Sequence, residues 1–242
     1  MVSLSGGQDS GTCLFWAQSQ YEHVEAVSLD YGQRHRIELD CATRLADIAG
    51  VTHTVLQLGS AFRQIGSSSL TDESIDSRWD ATGTGNHYAA RHGLPSSFVP
   101  GRNVVLLGYG AAHAVVRGAT TLITGVCSTD EAGYPDCRIT FIRAYENALR
   151  EALAEPGFQI TAPLLDKTKS ETWKLAHQLG CVNEIIEHTH SCYHGDRNNR
   201  FDWGYGCGQC PACTTRATGW TENATTRRQS HRENTEKIRR QL

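Results

Sequence analysis

Short apolar runs alternate with amphipathic helical stretches from the first residues of this chain, and few architectures accept that order. The runs "MVSL", "VEAVSLDYG", "THTVLQL", "TTLITGV" and "FQITAPL" read as five buried strands. Between them lie "DSGTCLFWAQSQY", "RIELDCATRLADIAG" (closed by Gly50), "RNVVLLGYGAAHAVVRG" and "ITFIRAYENALREALAE", all with helical spacing. A last helix, "KSETWKLAHQLG", follows the fifth strand and ends at Gly180. Residues 66–97, rich in Ser, Thr, Gly and Asp, read as a long loop or lid. The order predicts an α/β protein: a parallel five-stranded sheet with helices on both faces. Ligands of such sheets bind beyond the carboxyl ends of the strands.

The first of those ends carries "SLSGGQDSGTC", from Ser3 to Cys13. Gly6 and Gly7 permit close backbone approach, Ser5 and Ser10 add hydroxyls, and Asp9 or Ser10 is placed to cap the next helix. A Walker loop would add a lysine to reach the terminal phosphates, yet nothing basic lies between Met1 and His23. Backbone N–H groups at a helix start can hold an anion without one.

A chain of 242 residues suits one α/β domain with additions. A formal net charge of -3 gives no overall attraction to nucleic acid. No run approaches the roughly 18 apolar residues of a membrane span, and no leader pattern opens the sequence, so a cytoplasmic protein is expected. Nine cysteines in a reducing compartment argue against structural disulfides. Four of them, Cys192, Cys207, Cys210 and Cys213, fall within 22 residues. Three share C-x2-C-x2-C spacing, which suits one structural zinc with four thiolates and no open position. His188, His190 or His194 is an alternative to Cys192 as fourth ligand, because "HGDRNNRFDWGY" forms a long polar loop between Cys192 and Cys207.

Ser-Gly-Gly-x-Asp-Ser after the first strand resembles the PP-loop of ATP pyrophosphatases, which split ATP between its α- and β-phosphates and adenylate a substrate oxygen. Four further blocks, "DYGQRH", "FVPGRN", "ITGVCSTDEAGYPDCR" and "CGQCPACTTR", narrow the resemblance to the 7-cyano-7-deazaguanine (preQ0) synthase family. The resemblance covers about residues 3–220. It implies a cytoplasmic ligase that converts 7-carboxy-7-deazaguanine and ammonia to a nitrile through an adenylated acid and an adenylated amide. ATP with Mg2+, one structural Zn2+ and a homodimer are implied with it.

That resemblance distributes roles along the chain. Leu4, Ser5, Gly6, Gly7, Gln8, Asp9, Ser10, Gly11 and Thr12 would hold nucleotide, with Asp30 and Arg34 near adenosine. Asp9, Ser10, Arg102 and Lys167 would serve the chemistry, with Lys169 an alternative to Lys167. Phe98, Asn103, Asp130, Tyr134, Asp136 and Arg138 would hold the base, with Asp130 or Asp136 reading its N–H and amine pair and Glu131 competing. Arg138 would pair with the substrate carboxylate. Residues 1–185 would be the ATP-binding domain, 186–220 a zinc-binding subdomain and 221–242 a charged tail. One rival keeps the adenylation but joins the acid to another amine. A zinc-ribbon module that binds nucleic acid leaves the PP-loop unexplained.

Overall fold

Each of the five expected strands forms, and all neighbours in the sheet run parallel. They are β1 (Val2–Ser3), β2 (Glu25–Asp30), β3 (Thr52–Gln57), β4 (Thr121–Ile123) and β5 (Gln159–Thr161), in the order β3-β2-β1-β4-β5. The computed structural model describes residues 1–65, 68–72, 74–75, 87–127 and 134–241. Along a strand successive side chains face opposite sides of the sheet. Val2, Leu4, Ala26 and Ile123 therefore pack on one face with α1 (Gln8–Gln20) and α2 (Ile37–Ala49). Beyond the short α3 (Ala61–Ile65) and α4 (His87–Arg91) come the helices of the other face. There Val27 and Leu122 meet Leu107 and Ala111 of α5 (Arg102–Val116) and Ile142 and Leu149 of α6 (Ile139–Ala152).

Local signals set the helix ends. Gly50 closes α2 in the left-handed region (φ 66°, ψ 31°), where its N–H returns to the Ala46 and Asp47 carbonyls. α7 (Lys169–Gln178) opens with a reciprocal capping box between Thr168 and Glu171. With α8 (Val182–His188) and α9 (Pro211–Gln241) it surrounds a third apolar cluster built on Trp173, Ile185 and Trp203.

Two segments differ from the sequence expectation. Within residues 66–97 a helical turn forms at His87–Arg91, while Ser68, Ser69 and Thr71 are buried rather than lying on the surface. The Ser96 carbonyl accepts the Ser69 N–H and the Ser68 hydroxyl, which accounts for their burial. The polar stretch before Cys207 is not a plain loop: β6 (Arg200–Phe201) and β7 (Gly204–Tyr205) form an antiparallel hairpin. Phe201 stacks on Trp203 with ring centroids 4.7 Å apart, which supplies the apolar cover such a short hairpin needs.

β1 lies between β2 and β4, so the connections leaving β1 and β4 diverge at this point of the sheet. That divergence opens a crevice at the carboxyl end of β1, where the Ser-Gly-Gly turn sits.

Candidate functional site

The chain passes from β1 into α1 through residues 4–7, and Gly6 makes the passage possible. Its φ is +83°, and a Cβ there would lie 1.9 Å from the Glu38 carbonyl oxygen. The first-turn N–H groups of α1 have no acceptors within the helix and stand at the positive end of its dipole. The Ser5 and Ser10 hydroxyls lie 2.9 Å apart, and Ser10 Oγ accepts the Ser5 N–H at 3.1 Å. The His190 N–H donates to the Gly6 carbonyl at 2.9 Å, and a Cβ on Gly125 would come within 2.8 Å of Ser10 N. The turn is thus clamped from both sides.

The cation missing from the loop arrives from α7. Lys169 Nζ pairs with Asp9 Oδ2 across 160 residues of sequence, with Cys127 Sγ 3.4 Å from the same nitrogen. Lys169 is the first residue of α7, directly after the Thr168 cap, and that placement aims it at the loop. Lys167 precedes the cap and pairs with Asp166 at 3.2 Å.

A cleft of about 550 Å³ opens over this turn. Of the sequence candidates, Leu4, Ser5, Gly7, Gln8, Asp9, Ser10, Arg34, Arg102, Asn103 and Tyr134 line it, and so does Lys169. Arg102 stands at the start of α5 with its guanidinium 5.6 Å from the centre of the Tyr134 ring. The other described candidates lie outside that lining. Gly11 and Thr12 pack the first turns of α1, with the Thr12 hydroxyl donating to the Gln8 carbonyl at 2.9 Å. Asp30 pairs with Arg36 at 3.0 Å and shapes the turn after β2. Phe98 backs Tyr134 at a centroid distance of 6.5 Å. Arg138 is exposed at the N-terminus of α6, and Asp130 and Glu131 lie outside the described residues.

Asp136 does not cap its own helix. Its Oδ2 accepts the Asn103 N–H of α5 at 3.0 Å, and the Asn103 amide returns a bond to the Asp136 carbonyl at 3.1 Å. Asp136 Oδ1 is buried without a hydrogen-bond partner among the described residues, as are Gln8 Nε2, Asp9 Oδ1 and His190 Nδ1. Buried polar atoms without partners are uncommon. Three of these four belong to residues that line the cleft. Such atoms can be satisfied by a polar ligand or by water.

Several groups here were not singled out by sequence reasoning. Burial pushes the Glu38 carboxyl up to about 7, against the pull of Arg102. Burial likewise lifts Tyr31 to about 12. Arg216 also lines the cleft and is 1% exposed, and burial brings it down to about 10. It donates to the Trp203 and Ile185 carbonyls, both at 2.9 Å, and so ties α9 to the hairpin and to α8. Arg216 ends the block "CGQCPACTTR" and Gly125 lies inside "ITGVC", so both carried a signal by position alone.

Beside the cleft, the sulfurs of Cys192, Cys207, Cys210 and Cys213 lie within 4.8 Å of one another. Cys207 and Cys213 are 3.9 Å apart, and Cys192 and Cys210 are 4.0 Å apart. Tetrahedral zinc with 2.3 Å bonds sets sulfurs about 3.8 Å apart, so this set fits such an ion. The fourth ligand position falls to Cys192, while His190 Nε2 lies 3.2 Å from the Cys192 carbonyl. Hydrogen bonds from Cys210 and Cys213 hold the Cys192 thiol far below its ordinary range. The His194 and Cys207 N–H groups act in the same direction, each 3.4 Å from the sulfur. A Cβ on Gly206 would lie 2.5 Å from Cys213 Sγ, so glycine is required there.

Comparison with known proteins agrees with this geometry. A family model described as "Queuosine biosynthesis protein QueC" matches residues 1–224. The 7-cyano-7-deazaguanine synthase 1 of Rhodopseudomonas palustris (strain HaA2) is 43% identical over 228 residues, covering 93% of this chain and 94% of that one. The 7-cyano-7-deazaguanine synthase of Nitrobacter hamburgensis is 46% identical over 227 residues, 92% of this chain and 93% of its own. That of Granulibacter bethesdensis is 45% identical over 239 residues, 92% and 90% of the two chains.

Proposed function

This chain belongs to the QueC queuosine-biosynthesis family, and we propose on that footing that its cleft makes 7-cyano-7-deazaguanine from 7-carboxy-7-deazaguanine, ammonia and ATP. One observation carries the reading: a lysine-free turn at the start of α1 that receives Lys169 on Asp9. A compact nest of N–H groups holds pyrophosphate as attack occurs at the α-phosphorus. Lys169 and Arg102 are the cations that offset the charge on that group. Asp9, with one carboxylate oxygen unpartnered among the described residues, would share Mg2+ with the phosphate oxygens.

The base end lies at Tyr134, Asn103 and Asp136. Asp136 Oδ1 is the acceptor left for a guanine-type N–H, while Phe98 and Tyr134 offer aromatic faces. Asp130 stays a candidate for the same reading. Zinc on the four cysteines would serve folding, since a four-thiolate site has no open position for substrate. In this reading residues 1–185 bind nucleotide, residues 186–220 bind metal and residues 221–242 form a tail, with α9 crossing the last boundary. The family likeness also supports a cytoplasmic homodimer.

Activation of the carboxylate and then of the amide oxygen requires two ATP per nitrile. Chromatography of the nucleotide products should show two AMP and two pyrophosphate for each nitrile, with the primary amide visible when ATP is limiting. ADP as the sole product would overturn the reading.

A further inference from the structure

Glu38 has no part in the reaction as assigned so far, yet it stands inside the cleft. Among the described residues two acids line that cleft, Asp9 and Glu38. Asp9 is held by Lys169, whereas the Glu38 carboxylate has neither an ion pair nor a hydrogen bond among the described residues. The position of Glu38 is fixed. It lies in the first turn of α2, and its carbonyl oxygen fills the space a Gly6 side chain would need. Tyr31 and Arg102 are the charged or titratable groups that face it in the cleft, with the buried Cys41 thiol one turn along α2. Arg102 in turn lies over Tyr134. The Glu38 backbone thus adjoins the turn that receives pyrophosphate, while its carboxyl lines the cleft within the field of Arg102, which lies over the wall that receives the base. The carbon joined to the α-phosphate must lie between those two ends.

The nitrogen chemistry needs a proton acceptor at that junction. In neutral solution the donor is chiefly ammonium, which has no lone pair, so it must lose a proton before attack. The C–N bond then forms, the C–O bond to AMP breaks with its electron pair on the phosphate oxygen, and the nitrogen sheds a second proton. Dehydration removes both remaining N–H protons, the last as the C–O bond of the adenylated amide breaks to give the nitrile. Two histidines also line the cleft: His35 Nε2 contacts the Tyr193 carbonyl at 2.9 Å, and His190 Nε2 contacts the Cys192 carbonyl at 3.2 Å, while His190 Nδ1 is buried beside the cysteine knuckle.

We infer that Glu38 is the residue that binds ammonium in this cleft and accepts its protons, an inference that rests on the ligase reading above. A carboxylate between Tyr31 and the loop gives ammonium an anionic partner, and the open cleft lets each accepted proton pass to water before the next is taken. Its raised pKa, about 7, suits a base that must both take and release protons near neutrality.

The experiment uses the full-length zinc-loaded protein with Glu38→Gln and Glu38→Asp. Two readouts are compared: ATP–pyrophosphate exchange driven by the deazaguanine acid without ammonium, and amide plus nitrile formation with saturating ammonium. Glu38→Gln is expected to keep exchange and the KM for ATP within about threefold of wild type. It should lower turnover with ammonium by about 10²- to 10⁴-fold at neutral pH. Its remaining rate should climb about tenfold per pH unit as free ammonia replaces ammonium, and Glu38→Asp should recover part of the loss. Wild-type turnover should fall as pH drops through about 7, where the carboxylate takes its proton. Unchanged turnover in Glu38→Gln, or a raised KM for ATP at constant kcat, would overturn the inference. Loss of exchange in both variants would also overturn it, since Glu38 would then serve nucleotide binding or folding. Absence of exchange in the wild type would instead remove the ligase reading itself.

Discussion

The cysteine knuckle and the loop cleft adjoin one another, but their polar groups are in opposite states. In the knuckle, backbone N–H groups of Tyr193, His194, Cys207, Gln209 and Cys210 all point at ligand sulfurs, at 3.3–3.4 Å. Three of its four sulfurs are buried. In the cleft, Gln8 Nε2 and Asp9 Oδ1 are buried and have no partner among the described residues. A site that satisfies itself once a metal is in place has nothing left to offer a substrate. A site with orphaned polar atoms on a braced frame has its cost already set and recovers it when a ligand binds. The knuckle is read as structural and the cleft as the place of chemistry.

The largest effect expected from this contrast is loss of metal. Cys210→Ser should lower zinc content and forfeit part of the folding energy, on the order of 10 kcal/mol in small zinc domains, that a structural zinc contributes, seen by elemental analysis and thermal unfolding. A wild type that is folded and metal-free would break the comparison. Next in size, Lys169→Met should reduce pyrophosphate exchange by about 10²- to 10³-fold, because it removes charge stabilisation at the leaving group. Lys167→Met, which breaks the exposed pair with Asp166, should stay within about threefold. The reverse ranking would return the role to Lys167. Asp136→Ala should lower kcat/KM for the deazaguanine acid by about 10- to 100-fold, with ATP binding little changed, since donors of the base lose their partner. Equal kinetics in that variant would move base recognition away from α5. The smallest effect belongs to the frame: Thr168→Ala removes the capping box of α7 and should cost about 1 kcal/mol of stability, read from denaturant unfolding.

The sequence determined the class of fold, because strands buried on both faces read as apolar runs and the helices between them carry their own end signals, such as Gly50. It also located the Ser-Gly-Gly turn and the four clustered cysteines, three of them by a local spacing that is itself their geometry, with Cys192 named against a histidine alternative. The hairpin before Cys207 escaped notice because its support is a stack of Phe201 on Trp203, which has no period. Tertiary structure alone decided the rest of the site. It chose Lys169 over Lys167 as the partner of Asp9, through where α7 starts and how it docks. Folding also turned Asp136 toward the first turn of α5 and brought Glu38 beneath Gly6. Buried Arg216 was joined to the hairpin and to α8 in the same way. Local periodicity encodes which face of an element is apolar. It does not encode which of two neighbouring lysines meets a carboxylate 160 residues away. That depends on the packing of whole elements, which only the folded chain fixes.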